Sequence, residues 1–335
     1  MLLNENMFER TFRMTADSFS YLLGLLTPNI EVNRQQSANS SGEEPISPPL
    51  MLMTTLRYLA GGSYLDIRRT VGISGSSYYR VINETMFAIL GLRELKIVFP
   101  DSESDREVVM NDFKAISSSG IISAEDAGDV GTGRYYSGHY ACPGINVQAV
   151  CDAHCRFISV DASYPGSTND ARAFRGTGVA RSLKSFPTGM YIIGDNAYPY
   201  HDSFNFHASQ IRIRIEMAFG LLTTKWRVFR SPISRNLLNA TTTIYTAMVL
   251  HNYVINRRII SDADYCLFDE SVQPIRVSQR VQRLNDVANL MGYMSSDLVV
   301  EEGNSYMRDY IVQHLRANNT VRPQYNISRN RSVNN

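Results

Sequence analysis

Three stretches of the chain each hold a carboxylate where chemistry could use one. GIISAED ends on Glu125 and Asp126, YIIGD ends on Asp195, and RIRIEMAFG carries Glu216 among arginines. A further acid, Asp170, follows the turn YPGST. Phosphodiester cleavage by Mg²⁺ or Mn²⁺ requires hard oxygen ligands that converge on one spot. Such an ion takes one or two carboxylates, keeps several waters and takes its remaining ligands from the phosphate. Two ions about 3.5–4 Å apart stabilise the attacking and the leaving oxygens. The ends of strands and the faces of helices are rigid places from which to offer the acids. Each acid also has a plainer reading. A strand-end aspartate is a routine turn residue, Asp170 fits the N-cap of the ARAF helix, and Glu216 stands one turn after Arg212, at ion-pair spacing.

Charge is distributed in a way that suits such a site. The net charge of +1 says nothing about a polyanionic partner. Between Gly120 and Asp170, however, the acids Glu125, Asp126, Asp129, Asp152, Asp161 and Asp170 face only Arg134 and Arg156. Between Asn205 and Arg235 the balance reverses: Arg212, Arg214, Lys225, Arg227, Arg230 and Arg235 outnumber the single Glu216. A cation site beside a phosphate-binding surface would look like this, as would solvated charge on unrelated faces.

The elements that must position these residues follow from periodicity. Residues 1–30 read as helix, with Asp17 a candidate cap for its second part. Residues 31–49 are a polar linker rich in Ser, Asn and Pro. Residues 50–110 read as a helix-turn-helix-like region: a helix from Leu50 to Ala60, another from Tyr64 to Val71, a turn at Gly72-Ile73-Ser74 and a longer helix capped by Ser74. Its last helix would offer Ser76, Tyr78, Tyr79 and Arg80 to a DNA groove; a plain helical bundle fits equally well. From Gly120 the pattern becomes β-rich: GIISAED, GINVQAVCD, RFISVDASYPG and GMYIIGD are strands, interleaved with a helix broken near Gly176. Long helices follow at SQIRIRIEMAFGLLTTKWRVFR and TTTIYTAMVLHNYVINRRI. Three strands, a helix, a strand and then helices is the order of an α/β, ribonuclease-H-like mixed sheet flanked by helices. The catalytic domain would span 111–260. Residues 261–335 would hold helices at 276–291 and 304–315 and a disordered tail.

Taken together, the motifs resemble the PIF/Harbinger-type transposases and the nucleases derived from them. The resemblance rests on GIISAEDA, on the block YYSGHYACPGINVQAVCDAHCRFISVDASYPGSTNDARAF, on YIIGDNAYP, on SQIRIRIEMAFGLLTTKWRVFRSPI and on the Leu-His-Asn helix AMVLHNYVINRR. It implies a DDE metal-dependent endonuclease. Asp126, Asp195 and Glu216 would be its triad, with Asp170 an added acid near the same metals. Glu125 and Asp129 remain alternatives to Asp126 as first ligand. Arg212, Arg214, Lys225, Arg227 and Arg80 would contact DNA. The resemblance also implies nuclear location and a Myb-like DNA-binding partner, and it allows a homo-oligomer. The chain is shorter than the family pattern in two places. AGDVGTGR leads almost at once into YYSGHY, and only YHDS separates IGDNAYP from FNFHASQ. A copy that binds DNA or protein without cutting is therefore the alternative function.

Some classes are excluded or disfavoured. No run of eighteen or more apolar residues suggests a membrane span, and the N-terminus lacks the apolar centre of a secretory signal. Four cysteines are too sparse for a disulfide framework. Cys151, His154 and Cys155, with Cys142 or His139, invite a zinc reading, but no second paired-ligand motif supports it and buried thiols explain them better.

Overall fold

A computed structural model of the chain describes residues 5–31, 45–116, 125–130, 144–166, 168, 170–183, 186, 192–193 and 202–260. The helices expected at 276–291 and 304–315, and most of the 31–49 linker, lie outside the described residues.

The N-terminal part is helical: α1 (Glu5–Phe12), α2 (Ala16–Ile30), α3 (Pro48–Leu59), α4 (Tyr64–Val71), α5 (Gly75–Gly91) and α6 (Glu103–Ile116). The break between α1 and α2 falls at Arg13, whose φ is +65°. Thr15, not Asp17, caps α2: its hydroxyl accepts from the Ser18 N–H, and Asp17 sits in the first turn. The α4–α5 turn follows the sequence closely. Gly72 takes a left-handed φ of +73° that a side chain would resist, and the Ser74 hydroxyl accepts from the Ser77 N–H. The stripe Leu52, Leu56 and Leu59 of α3 is buried with Leu22 and Leu26 of α2 and Val81, Ile82, Met86 and Ile89 of α5.

The described strands are β1 (Glu125–Val130), β2 (Ile145–Cys151), β3 (Phe157–Pro165) and β4 (Ile192–Ile193). They form a mixed sheet in the order β3-β2-β1-β4, with β4 parallel to β1 and the other pairs antiparallel. β1 continues past Asp126 to Val130, and Asp126–Val130 pairs with β2, so Asp126 is not the last residue of its strand; residues 120–124 of GIISAED lie outside the described residues. The helix broken near Gly176 is present as α7 (Asp170–Arg175) and α8 (Gly178–Ser182).

Two long helices complete the described part, α9 (Asp202–Lys225) and α10 (Leu237–Ile260), with a 3₁₀ turn at Arg227–Arg230 between them. α9 starts seven residues earlier than the SQIRIRI stretch suggests, because FNFHASQ joins it. It packs on β1, β2 and β4. Ile215, Ala218 and Leu222 of α9, and Trp226 just after it, enter the same buried cluster as Val147, Ala149 and Cys151 of β2 and the N-terminal helices, so one core joins helices and sheet.

Along β3, α10 covers what would be an exposed sheet edge. Asn252 accepts from the Phe157 N–H at 2.8 Å and donates to the Phe157 carbonyl at 2.6 Å. The Tyr245 hydroxyl accepts from the Ala162 N–H at 3.0 Å. Main-chain groups of an edge strand are a template for unwanted pairing, and here helix side chains occupy them.

Candidate functional site

The acids arrive on three elements. Asp126 stands in register opposite Cys151 of β2 and Ile193 of β4. Asp129 stands opposite Gln148. Cross-strand partners share a face of a sheet. The Asp126 position thus belongs to the row of Cys151, Ala149 and Val147, which packs with α9. The Asp129 position belongs to the row of Gln148. That opposite face turns to the PGSTND segment: Asn146 donates to the Thr168 carbonyl at 3.1 Å, and Gln148 donates to Asn146 at 2.8 Å. Asp170 follows as the first residue of α7. The Asp126-or-Asp129 alternative is therefore a choice between two faces: Asp126 shares α9's face, and Asp129 shares the face of the turn before Asp170.

Glu216 is exposed on α9, flanked by buried Arg214, Ile215 and Ala218. It lies far into the helix, about 21 Å along the axis from Asp202 at ~1.5 Å per residue. A helix that began with the SQIRIRI stretch at Ser209 would have placed it about two turns in. Asp195, two residues after Ile193, lies outside the described residues. Among the described residues no three His, Cys, Asp or Glu side chains converge on one point.

The basic residues divide sharply. Arg214 is 3% exposed, and its nearest polar contact among the described residues is Met217 Sδ at 3.8 Å. It does not face solvent, which corrects its assignment to DNA phosphates: residues 214, 215, 218 and 222 form the stripe that α9 buries. The Arg212 side chain is outside the described set. Lys225 is half-buried and donates to the Arg13 carbonyl at 3.1 Å. Arg227 is exposed. Arg80 is exposed on α5, 3.4 Å from Glu84. Tyr79 is 48% exposed beside it, whereas Tyr78 is 2% exposed and cannot reach a groove. Burial raises the Tyr78 phenol well above its ordinary value.

In the CDAHC stretch Cys151 ends β2, and Asp152–Cys155 form the hairpin turn that leads to β3. The buried Asp152 carboxylate accepts from the His154 N–H at 2.9 Å, the Arg156 N–H at 2.8 Å and the Arg156 guanidinium at 2.6 Å. Cys151 and Cys155 are buried and unbridged, while the His154 ring is exposed and 3.3 Å from Asp112. His154 thus turns away from the thiols. Cys142 and His139 lie outside the described residues.

Sequence reasoning missed His251, Asn252, Asn146 and Gln148. His251 is 2% exposed and its Nε2 donates to the Cys155 carbonyl at 2.8 Å. Burial lowers its imidazole to about 4, against the opposing pull of that hydrogen bond. A neutral ring held by one carbonyl is a brace for the hairpin. The signal was the Leu-His-Asn triplet inside an otherwise apolar helix, and in β2 two amides at strand spacing.

Comparison with known proteins agrees with the motifs. Residues 125–252 match the model of the DDE superfamily endonuclease family. A rat protein named "Putative nuclease HARBI1" is 23% identical over 190 residues, 54% of this chain and 53% of that protein. The Arabidopsis thaliana "Protein ALP1-like" is 22% identical over 294 residues, 74% of this chain and 70% of that protein. The human "Putative nuclease HARBI1" is 21% identical over 266 residues, 69% of this chain and 72% of that protein. The match to the rat protein thus spans about half of its length. The resemblance to PIF/Harbinger transposase-derived nucleases holds. No solved structure matches the chain.

Proposed function

We propose that this chain, with a DDE superfamily endonuclease segment at 125–252, is a divalent-metal-dependent DNA endonuclease of ribonuclease-H-like fold. The observation that carries the reading is the parallel pairing of β1 with β4. Asp126 is level with Ile193, two residues before Asp195 in sequence, under the helix that bears Glu216. The order β3-β2-β1-β4, antiparallel except for its last pair, supports the ribonuclease-H-like assignment.

The donor set fits the metal. Asp126, Asp195 and Glu216, with Asp170 as an accessory, are all carboxylates, and hard oxygen donors suit Mg²⁺ or Mn²⁺. The bound ions would supply Lewis-acid activation of a phosphodiester and of its nucleophile. The protein's part is to hold the ions, with Glu216 at a solvent-accessible position where substrate can approach. Arg80 and Arg227 are exposed and available to backbone phosphates, and Tyr79 and Ser76 flank Arg80 at the start of α5. DNA as substrate makes the nucleus the expected location. A Myb-like DNA-binding partner and self-association complete the proposal.

The test is nicking of supercoiled plasmid with Mg²⁺ or Mn²⁺ by the full chain and by Asp195→Asn. Metal-dependent nicking by the first alone supports the reading; equal nicking by both rejects it.

A second reading, a DNA- or protein-binding module that does not cut, is favoured by the depth of Glu216 in α9. A helix that starts at Asp202 carries Glu216 nearly four turns along its axis. Salt-dependent DNA binding with no nicking under any divalent metal would select it.

A further inference from the structure

Five cations from four elements meet where the N-terminal helices join the end of α9. Arg13 follows α1, Arg57 lies on α3, Lys225 ends α9, and Arg227 and Arg230 bound the 3₁₀ turn after it. Two have main-chain partners at the C-terminal end of α1. Arg57 donates to the Thr11 carbonyl at 3.4 Å, and Lys225 donates to the Arg13 carbonyl at 3.1 Å. Helix C-termini attract cations in this way.

That explanation does not extend to Arg13, Arg227 and Arg230. The Arg13 Nε is buried with no hydrogen-bond partner. Among the described residues no carboxylate pairs with Arg13, Arg57, Arg227 or Arg230. The Arg13 guanidinium is lowered below its ordinary value, first by burial and then by repulsion from Arg227, Arg57 and Arg230. Like charges held this close repel one another, which costs stability.

The cluster is also held in place. Gly61, at the end of α3, has φ +83°, and a Cβ there would lie 2.8 Å from the Cβ of Arg227. The 3₁₀ turn is therefore seated directly on the α3 backbone. Half-buried Arg13, Arg57 and Lys225 form a floor, and exposed Arg227 and Arg230 form an open rim. A half-buried floor, in which Arg57 and Lys225 are braced by main-chain carbonyls, under an accessible rim suits one tetrahedral oxyanion, and guanidinium forks match phosphate oxygens.

We propose that Arg13, Arg57, Lys225, Arg227 and Arg230 form a phosphate site that takes one backbone phosphate of duplex DNA. The inference rests on the proposed DNA function but not on cleavage. It makes the junction of helices and sheet a DNA contact separate from Arg80.

The experiment measures binding of a fluorescent duplex by the full chain in EDTA across a salt series, which separates it from any failure to nick. The variants are Arg227→Gln/Arg230→Gln and Arg230→Gln alone; both positions are exposed, so the fold is expected to stand by circular dichroism. Arg93→Gln, exposed and on a different 3₁₀ turn, Arg93–Leu95, is the control. In the double variant affinity at low salt should fall several-fold. The slope of log K against log salt should fall by about 1, the value for one lost phosphate contact. Arg230→Gln should fall part of the way, and Arg93→Gln should match the unmodified chain. Unchanged affinity and slope in both rim variants would overturn the proposal. Inorganic phosphate at constant ionic strength gives the second arm. If phosphate raises the melting temperature only when the rim is intact, while duplex binding is the same in all variants, the site serves a free anion and the DNA assignment fails.

Discussion

Asn252 grips Phe157 from both sides, accepting from its N–H at 2.8 Å and donating to its carbonyl at 2.6 Å. One side chain on α10 thereby satisfies both main-chain groups at the first residue of the edge strand β3. Asn252→Ala leaves both without their protein partner, and each such loss costs about 1–3 kcal/mol. The variant should lose roughly 2 kcal/mol or more in urea unfolding. Asn252→Asp keeps the acceptor and loses the donor, so it should fall between the two. A midpoint unchanged in Asn252→Ala would show that water replaces the clasp at no cost.

His251 should make stability depend on pH. Its folded-state value of about 4 lies below the ordinary 6.5, so the unfolded chain takes up the proton first. The contribution of the neutral ring is complete above about pH 6.5 and is lost as pH falls toward about 4. At ~1.36 kcal/mol per pKa unit, that loss amounts to about 3 kcal/mol. His251→Gln should start less stable at neutral pH and show a shallower decline through this window. Parallel pH profiles for the two proteins would remove His251 as the cause.

Gly61 is where the end of α3 meets the basic turn. Its φ of +83° and the 2.8 Å approach to the Arg227 Cβ leave no room for a side chain. Gly61→Ala should cost about 1–3 kcal/mol through backbone strain alone, read as a lowered thermal midpoint. Gly72→Ala, which has a positive φ but open space around it, should cost less. Equal losses in the two would mean that the contact with Arg227 contributes nothing.

The two faces of β1 predict different outcomes for its acids. Asp126 shares α9's face and Asp129 does not. If the chain cuts DNA, Asp126→Asn and Glu216→Gln should each reduce metal-dependent nicking to background, and Asp129→Asn should retain most of it. Loss in Asp129→Asn with retention in Asp126→Asn would reverse the choice of first ligand.

Arg214 should behave as a buried residue and not as a DNA contact. Arg214→Met removes a buried charge whose Nε has no partner and keeps much of the stem. Duplex affinity and its salt slope should match the unmodified chain. A slope reduced by about 1 would return Arg214 to the DNA surface.

Local patterns were readable in the chain because they depend on nearest neighbours. The Gly72–Ser74 turn, the β2 and β3 runs, the break near Gly176 and the family motifs all follow from residue type and short spacing. Asp126 and Asp129 could not be separated in this way, because three residues of strand say nothing about which face a helix will cover. Only the register of β1 against β2, and the packing of α9, decided that. The depth of Glu216 escaped for a related reason. FNFHASQ has no strong helical stripe of its own, yet it is drawn into a helix that the face of Ile215, Ala218 and Leu222 anchors. Arginines at 214 and 227 look alike in a sequence; burial against the sheet separates a core residue from a surface one. The sequence alone determined which acids and motifs the chain carries, since these are chemical identities. Which face, which depth and which cations meet were decided by tertiary structure, because they depend on contacts between elements that lie far apart in the chain.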